Sequence, residues 1–205
     1  MTRSLFIMGS PREAGRSAAL AQALIRFKEW DDPDAEIALF SVAEKEFWPC
    51  TGCDCCIEGR CPFEDDLEPL YPLLDAADEL TIVSPVYFAG PPAQFKAVID
   101  RMQPYFWKWH ARGHAERMKA VRPLRLFVLG EGNDPHGFSP LAISVRSAFA
   151  VAGFRLEEVF DCVGITDEAI ASAARSGVAG TLWESPWAAC PEGDCRTLSG
   201  AGVDG

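Results

Sequence analysis

The sequence predicts an α/β protein whose parallel sheet is covered by helices on both faces. Short apolar runs alternate with segments of helical periodicity through most of the 205 residues, and strands that alternate with helices are typical of parallel sheets buried on both sides. The composition, with 48% hydrophobic and 24% charged residues, is that of an ordinary globular protein. A chain of this length can bury a sizeable core within one domain.

Five strands are predicted from apolar runs that turn-forming residues or helices separate. The first run leads into a glycine turn, and the third ends at Pro85. We expect the strands at 5–8, 36–42, 80–84, 124–129 and 157–163.

Helical periodicity fills the intervals between these strands. Leu20, Leu24 and Phe27 share one face of the first helix, and Ser17 stands before it as a natural N-cap. Gly153 is a typical helix terminator. We expect helices at 18–30, 67–77, 92–101, 141–152 and 167–182, all within one domain at 1–185, followed by an irregular tail at 186–205 that is rich in Gly, Pro and Cys.

Charge and hydropathy restrict the partners and the compartment. The net charge of −11 argues against a nucleic-acid partner, whose phosphates would be repelled, although it could steer a basic redox partner. We see no signal peptide and no apolar stretch long enough to span a bilayer, so we expect a cytoplasmic protein that binds no membrane. In that reducing compartment, eight cysteines are expected to be ligands, redox groups or buried side chains.

The loop between the first strand and the first helix favours a phosphate ligand. A helix N-terminus presents unpaired N–H groups to an anion, and hydroxyl and guanidinium groups add donors. The loop is neither G-x-G-x-x-G nor G-x4-G-K-[ST], which weakens the dinucleotide and nucleoside-triphosphatase interpretations. An ordinary turn with surface arginines is the alternative. The loop reads Gly9-Ser10-Pro11-Arg12-Glu13-Ala14-Gly15-Arg16-Ser17.

We expect a loop at 46–66, the cysteine segment, after the second strand. It holds four cysteines within twelve residues, in the pattern Cys50-x2-Cys53-x2-Cys56-x4-Cys61. Soft thiolates at this spacing can hold an iron–sulfur cluster or a zinc ion. A zinc site usually separates its two ligand pairs by a longer stretch, which favours a [4Fe–4S] cluster. Redox-active thiols, a metal site lost in this protein, and simple packing are the alternatives. The extra thiol of Cys55 lies inside the motif.

The remaining cysteines and the acidic pair after the motif carry weaker expectations. Cys162 lies in an apolar strand and is expected to be buried and inert. Cys190 and Cys195 could form a disulfide, bind a metal or do neither. Asp65 and Asp66 could form a partner surface, but we expect them to start the next helix, where acidic groups favour the helix dipole.

An aromatic segment at 103–114 precedes the fourth strand. It could be a lid over a bound cofactor, a subunit interface, or a patch that covers the sheet edge. His110 and His114 are four residues apart, but without a carboxylate partner in view we do not predict a metal site there.

Taken in order, the motifs resemble one known family. They are Gly9-Ser10-Pro11-Arg12, Gly15, Ser17, the cysteine pattern with Arg60, Asp65-Asp66, Ser84-Pro85-Val86-Tyr87-Phe88, and Lys96-x3-Asp100-Arg101. Over residues 3–165 this combination resembles the iron–sulfur flavoprotein branch of the NAD(P)H-dependent FMN reductase superfamily. Arg16 stands where relatives often carry Asn.

The resemblance implies a flavodoxin-like, doubly wound sheet with strand order 2-1-3-4-5 and FMN bound at the carboxyl ends of the strands. It implies that the phosphate is held by Ser10, Arg12, Arg16 and Ser17. It also implies that the isoalloxazine ring is lined by Pro85, Val86, Tyr87 and Phe88, and we expect Gly130, Glu131 and Gly132 to approach the ring from the other side. The cluster ligands would be Cys50, Cys53, Cys56 and Cys61.

Three functions are compatible with these expectations. The first is a flavin-dependent oxidoreductase that passes electrons between a [4Fe–4S] cluster and FMN, to a small-molecule acceptor or a redox partner protein. The second is a cluster-free reductase of FMN or quinones, with NAD(P)H as electron donor. The third is a flavin- or zinc-binding regulatory module without turnover. The resemblance also implies a homodimer or homotetramer.

Overall fold

Residues 1–111 and 121–176 are described in a computed structural model of the chain, the last five of them by their backbone only. Five parallel strands form one sheet in the order β2-β1-β3-β4-β5. The predicted fold class and strand order are therefore confirmed. The strands are β1 Arg3–Met8, β2 Glu36–Ser41, β3 Glu79–Pro85, β4 Arg122–Gly130 and β5 Phe154–Val163.

Helices connect the strands and cover both faces of the sheet. The described helices are α1 Arg16–Asp31, α2 Leu70–Ala76, α3 Ala93–Asp100, α4 Gln103–Ala111, α5 Ser139–Ala150 and α6 Asp167–Ser176. The cysteine segment follows β2, as predicted, and contains a short 3-10 turn at Cys55–Glu58. Residues 177–182 of the last predicted helix and the predicted tail at 186–205 lie outside the described residues.

The core consists of two layers because side chains alternate across a strand. Leu5 and Ile7 of β1 face one layer, which contains residues of α2, α3, α4 and α5. Phe6 faces the other layer, which contains residues of α1 and α6. Cys162 belongs to this second layer and is fully buried, and burial raises its pKa to about 12. The expected inert cysteine is therefore protonated at neutral pH.

Three predicted helix starts are wrong by two or three residues, including that of α5, which begins at Ser139 and not at 141, and one helix was not predicted. α1 begins at Arg16, so Ser17 lies in its first turn, and Gly15 occupies the N-cap position without a side-chain cap. α2 begins at Leu70 because residues 67–69 form turns, one of them closed by the Asp65 side chain, which accepts from the backbone N–H of Leu67. α4 forms in the aromatic segment.

Arg122 connects several carbonyls at the amino edge of the sheet. Its guanidinium donates to the carbonyls of Leu74 and Ala77 near the end of α2, and to that of Ala152 after α5. It also lies 3.9 Å from the centroid of the Phe154 ring. Carbonyls near a helix C-terminus lack partners within the helix, so this one side chain stabilises the ends of two helices.

A second polar network on the same edge surrounds Glu79. Its carboxylate is 2.8 Å from Nζ of Lys28, 2.5 Å from the donating hydroxyl of Ser4, and 3.3 Å from Nη1 of Arg125. Burial disfavours the ionised form of Glu79, but these partners outweigh burial and lower its pKa.

No helix in the described part of the chain is both long enough and apolar enough to cross a membrane.

Candidate functional site

A cleft of about 540 Å³ opens at the carboxyl edge of the sheet. Clefts of this size suit small-molecule cofactors. All eleven residues predicted to contact FMN line it: Ser10, Arg12, Arg16, Ser17, Pro85, Val86, Tyr87, Phe88, Gly130, Glu131 and Gly132. Because parallel strands end at the same edge, segments that follow β1, β3 and β4 meet here although they are far apart in sequence.

The loop after β1 forms the polar end of the cleft. Ser10 and Ser17 are buried there, and the backbone N–H of Arg12 donates to Oγ of Ser10. Gly15 has φ of 139° just before α1, a conformation that favours glycine. Gly15, Arg16 and Ser17 line the cleft, so the start of α1, whose N–H groups lack partners within the helix, lies beside it, as an anion site requires.

The two arginines of this loop are in different environments. Arg12 is exposed, and its guanidinium has no ion-pair partner among the described residues. Arg16 is ion-paired with Glu131, and its Nη1 donates to the carbonyl of Ile165 at 3.1 Å. Arg16 therefore links α1 to the loops after β4 and β5, whereas Arg12 is available to an anion.

The segment after β3 makes a tight turn at the mouth of the cleft. Tyr87 and Gly90 exchange backbone hydrogen bonds of 2.9 and 3.0 Å. The central residues, Phe88 and Ala89, have φ of 49° and 63°, the pattern of a type I′ turn. Non-glycine residues rarely adopt such angles. The turn leaves the Phe88 side chain 100% exposed beside the cleft, where an aromatic ring could stack on it.

Gly130 ends β4 where the segment after β3 approaches most closely. The backbone N–H of Val86 donates to the Leu129 carbonyl at 2.8 Å. An alanine Cβ at position 130 would lie only 2.7 Å from Cγ1 of Val86. Glycine at position 130 therefore allows the end of β4 and the segment after β3, which both line the cleft, to approach this closely.

The cysteine segment forms a second pocket, of about 160 Å³. The four predicted ligands, Cys50, Cys53, Cys56 and Cys61, all line it, whereas Cys55 does not. Among the residues that the structure describes, no three His, Cys, Asp or Glu side chains are placed to hold a single metal ion. The four thiols share one pocket, and thiolates are ligands of both iron–sulfur clusters and zinc.

Local contacts shift the pKa values of three thiols in the cysteine segment in different directions. The pKa of Cys53 is lowered mainly by a hydrogen bond from the backbone N–H of Cys55, whose thiol donates to the Cys53 carbonyl at 3.6 Å. Burial raises the pKa of Cys56, and the hydrogen bond to Cys53 raises that of Cys55. Metal ligands bind as thiolates, so the Cys53 thiol is easier to deprotonate than those of Cys55 and Cys56.

A buried ion pair closes the base of the cysteine segment. Arg101 Nη1 lies 2.6 Å from Oδ2 of Asp65, and Nη2 lies 3.2 Å from Oδ1. Asp65 also accepts from the backbone N–H of Trp48. Burial raises the pKa of Asp65, but these hydrogen bonds outweigh burial, so its pKa lies below the ordinary value.

The sequence predicted that Asp65 and Asp66 start the next helix. This prediction is wrong, because α2 begins at Leu70. Asp66 accepts from the backbone N–H of Glu46 at 2.8 Å, and its own N–H donates to the Glu46 carbonyl at 3.3 Å. Together with Asp65 and Arg101, it joins the two ends of the cysteine segment.

Helix α4 packs against the cysteine pocket. Gln103, Pro104 and Trp107 line that pocket. Within the described part of the aromatic segment, residues 103–111, none lines the cleft, so a lid over the cleft is not what this part forms. His114 lies outside the described residues.

Sequence reasoning assigned no role to several residues that line the two pockets. Asp134, Phe138 and Asp161 line the cleft, and Trp107 and Arg101 line the cysteine pocket. Asp161 lies near the carboxyl end of β5, and that position could have suggested its place. Nothing in the sequence indicated that Arg101 would be buried.

The fold and the cleft together define a flavodoxin-like flavoprotein. The fold is similar to that of an NAD(P)H:quinone oxidoreductase from Methanothermobacter marburgensis, with TM-score 0.62 and 14% identity over 86% of this chain and 95% of that one. It is also similar to an azoreductase from Bacillus anthracis, with TM-score 0.59 and 13% identity over 90% and 98% of the two chains. At these identities the likeness extends to the fold alone.

Residues 2–153 match the NADPH-dependent FMN reductase family, and the chain belongs to that family of flavin-dependent oxidoreductases. An iron–sulfur flavoprotein from Methanocaldococcus jannaschii is 32% identical over 71% of this chain and 69% of its own. One from Archaeoglobus fulgidus is 35% identical over 50% of this chain and 46% of its own. The chain thus spans about half the length of some of these relatives.

Proposed function

We propose that this protein is an electron-transfer flavoprotein that binds FMN in the cleft and a [4Fe–4S] cluster in the cysteine pocket. The observation that carries the proposal is the arrangement of the five thiols in the segment. The four that match a cluster motif line one pocket, and Cys55, which the motif does not require, does not line it. The names of the relatives support the cluster, and the family supports FMN.

The residues of the cleft fit FMN. The N–H groups at the start of α1, the two buried serines and Arg12 would hold the phosphate. Pro85–Phe88 would orient the ring against the loop after β4. FMN, when bound, supplies two-electron and one-electron chemistry, and a cluster supplies one-electron exchange. The chain's own residues then have to bind the two groups, orient them and exclude water.

Several further expectations remain part of the proposal. The protein works in the reducing cytoplasm, as a homodimer or homotetramer, with a redox partner protein or a small-molecule acceptor. The net charge of −11 would favour a basic partner. The exposed side chains of Trp48 and Ile57 lie in or beside the cysteine segment and offer apolar contact area to such a partner.

The deciding experiment is an anaerobic preparation assayed for iron, acid-labile sulfide and released flavin, with visible spectra before and after dithionite. We expect about four iron and four sulfide per chain, as for a cubane on four thiolates, with one FMN. The matched variants are Cys53→Ala, which should lose the cluster and keep FMN, and Cys55→Ala, which should keep both. Equal iron loss in the two variants would contradict the assignment of ligands.

The second candidate is a cluster-free reductase of FMN or quinones that uses NAD(P)H. The name of the family favours it. FMN without iron, after serious attempts at reconstitution, together with rapid NADPH oxidation, would replace the first proposal by this one. A flavin-free, zinc-loaded preparation would instead point to the regulatory module.

A further inference from the structure

Arg101 is the largest fully buried side chain in the described part of the protein. Both of its terminal nitrogens have partners, since Nη1 and Nη2 bind Asp65 and Nη1 also donates to the Trp48 carbonyl at 3.0 Å. Its Nε is buried and has no hydrogen-bond partner among the described residues. Buried N–H groups without partners are rare in native proteins and call for an explanation.

The position of Arg101 in the fold offers an explanation for the Nε without a partner. The side chain lines the cysteine pocket together with the four thiols, and its guanidinium lies 5.1 Å from the centroid of the Phe63 ring. Asp65 and Trp48 take three of the five N–H donors of the guanidinium, so the buried Nε–H is one of the two donors that remain for a group in the pocket. Burial disfavours the charged form of Arg101, but the hydrogen bond to Asp65 outweighs burial and raises the pKa of the guanidinium.

We propose that Arg101 donates its Nε–H to a sulfur held in this pocket and raises the reduction potential of the cluster, an inference that rests on the proposed function. Hydrogen bonds to the sulfurs and local charge are among the factors that set cluster potentials. Reduction adds negative charge to a cluster. A hydrogen-bond donor on a positively charged side chain therefore stabilises the reduced cluster more than the oxidised cluster. The effect is strong when the donor is buried, because little water screens it.

Arg101 could instead act only through Asp65, by holding the two ends of the cysteine segment together. The two roles separate in a pair of variants. Asp65→Asn weakens the ion pair but leaves Arg101 in place, whereas Arg101→Lys keeps a positive charge that can still bind Asp65 but removes Nε and the planar fork. Arg101→Met would leave Asp65 as an unpaired buried charge and could fail to fold, so the lysine variant is preferred.

The experiment is a redox titration of the cluster, monitored by electron paramagnetic resonance, in the wild type and the two variants. Iron and FMN contents are measured on the same samples. We expect Arg101→Lys to lower the equilibrium constant for cluster reduction about tenfold, which is about 59 mV for one electron. Asp65→Asn should leave the potential unchanged or raise it, because it removes a nearby negative charge. Iron loss in Arg101→Lys alone would also support the donor role.

A wild-type potential in the loaded Arg101→Lys protein would overturn the proposal, and so would equal downward shifts in both variants. Iron loss in both variants would mean that Arg101 only holds the two ends of the cysteine segment together, and this result would overturn the proposal as well. If the wild type itself holds FMN but no iron after reconstitution, the proposed function fails first. The iron assay distinguishes that failure from a loaded wild type whose potential does not depend on Arg101.

Discussion

The guanidinium of Arg16 is ion-paired with the carboxylate of Glu131 across the cleft, and it also donates to the Ile165 carbonyl. A flavin phosphate that binds at the start of α1 would approach this pair and would compete with Glu131 for Arg16. One of the two arginines expected to bind the phosphate is thus held in an internal contact.

Replacement of Glu131 by Gln should therefore strengthen FMN binding. The change removes a negative charge near the expected dianion and releases Arg16. We expect an increase in affinity of up to about fivefold, in the range that exposed charge pairs contribute. Titration of apoprotein with FMN, followed by flavin fluorescence at low and high salt, measures it. Weaker FMN binding in Glu131→Gln would mean that the carboxylate itself holds the flavin.

Arg12→Ala should weaken FMN binding more than Arg16→Ala does. Arg12 is available to the phosphate, and hydrogen bonds to charged groups contribute enough for a loss of about 10- to 100-fold. Riboflavin, which lacks the phosphate, is the control ligand, and its affinity should not change in Arg12→Ala. A larger loss in Arg16→Ala would show that Arg16 leaves Glu131 for the phosphate.

Phe88→Gly should leave the empty protein at least as stable as the wild type. Its side chain buries nothing there, and glycine relieves a left-handed conformation that costs other residues about 1–2 kcal/mol. Part of this gain is offset by the greater freedom of glycine in the unfolded chain. Phe88→Ala is the matched control, because it removes the ring but keeps the strain.

Urea unfolding of the three apoproteins measures this order, and we expect glycine to be more stable than alanine by about 1 kcal/mol. Both variants should bind FMN more weakly if Phe88 contacts the ring. Undiminished flavin affinity in both would remove Phe88 from the binding site.

Gly130→Ala should reduce FMN affinity by pushing Val86 away from β4. The new Cβ would meet Cγ1 of Val86 at 2.7 Å, and the neighbouring backbone orients the expected ring site. The double variant Val86→Ala/Gly130→Ala removes the clashing methyl group, so it should recover affinity relative to Gly130→Ala. If the double variant binds FMN no more tightly than Gly130→Ala does, the loss of affinity arises in the loop after β4 and not from the contact with Val86.

Glu79 should stabilise the protein above about pH 4 and lose that effect in acid. Its pKa is lower in the folded protein than in the unfolded chain, where it is about 4.3. The stabilisation is therefore complete above the unfolded value and disappears as the pH falls through the folded value. Glu79→Gln should lower the free energy of unfolding by about 2 kcal/mol at pH 7 and by less at pH 3.

The control for this change is Glu158→Gln, which alters a half-exposed partner of Arg125 and should cost less than about 0.5 kcal/mol. Urea unfolding at the two pH values tests both variants. An equal loss at pH 7 and pH 3 in Glu79→Gln would mean that packing, and not charge, accounts for the effect.

The five strands could be predicted because they depend on short-range signals, whereas the residues expected to line the ring came from the family resemblance. Apolar runs mark the strands, and the carboxyl ends of parallel strands must meet at one edge. The strand order itself came from the family resemblance, since periodicity does not determine how strands are arranged.

The contacts that were not predicted join residues far apart in sequence. Arg101 binds Asp65 from 36 positions away, and by composition both would be placed at the surface. Ser17 was taken as an N-cap from its local context, but Gly15 turns the chain two residues earlier. Trp107 covers the cysteine pocket only because α4 packs there, a tertiary arrangement that helical periodicity does not encode.

The network around Arg122 has a practical consequence for engineering. Arg122 and Glu79 secure the amino edge of the sheet, while the cleft lies at the carboxyl edge. Changes at distant, independent positions usually have additive effects. A laboratory that wishes to retarget the cleft could therefore first reinforce the opposite edge, and so accumulate a reserve of stability against the cost of later substitutions in the cleft.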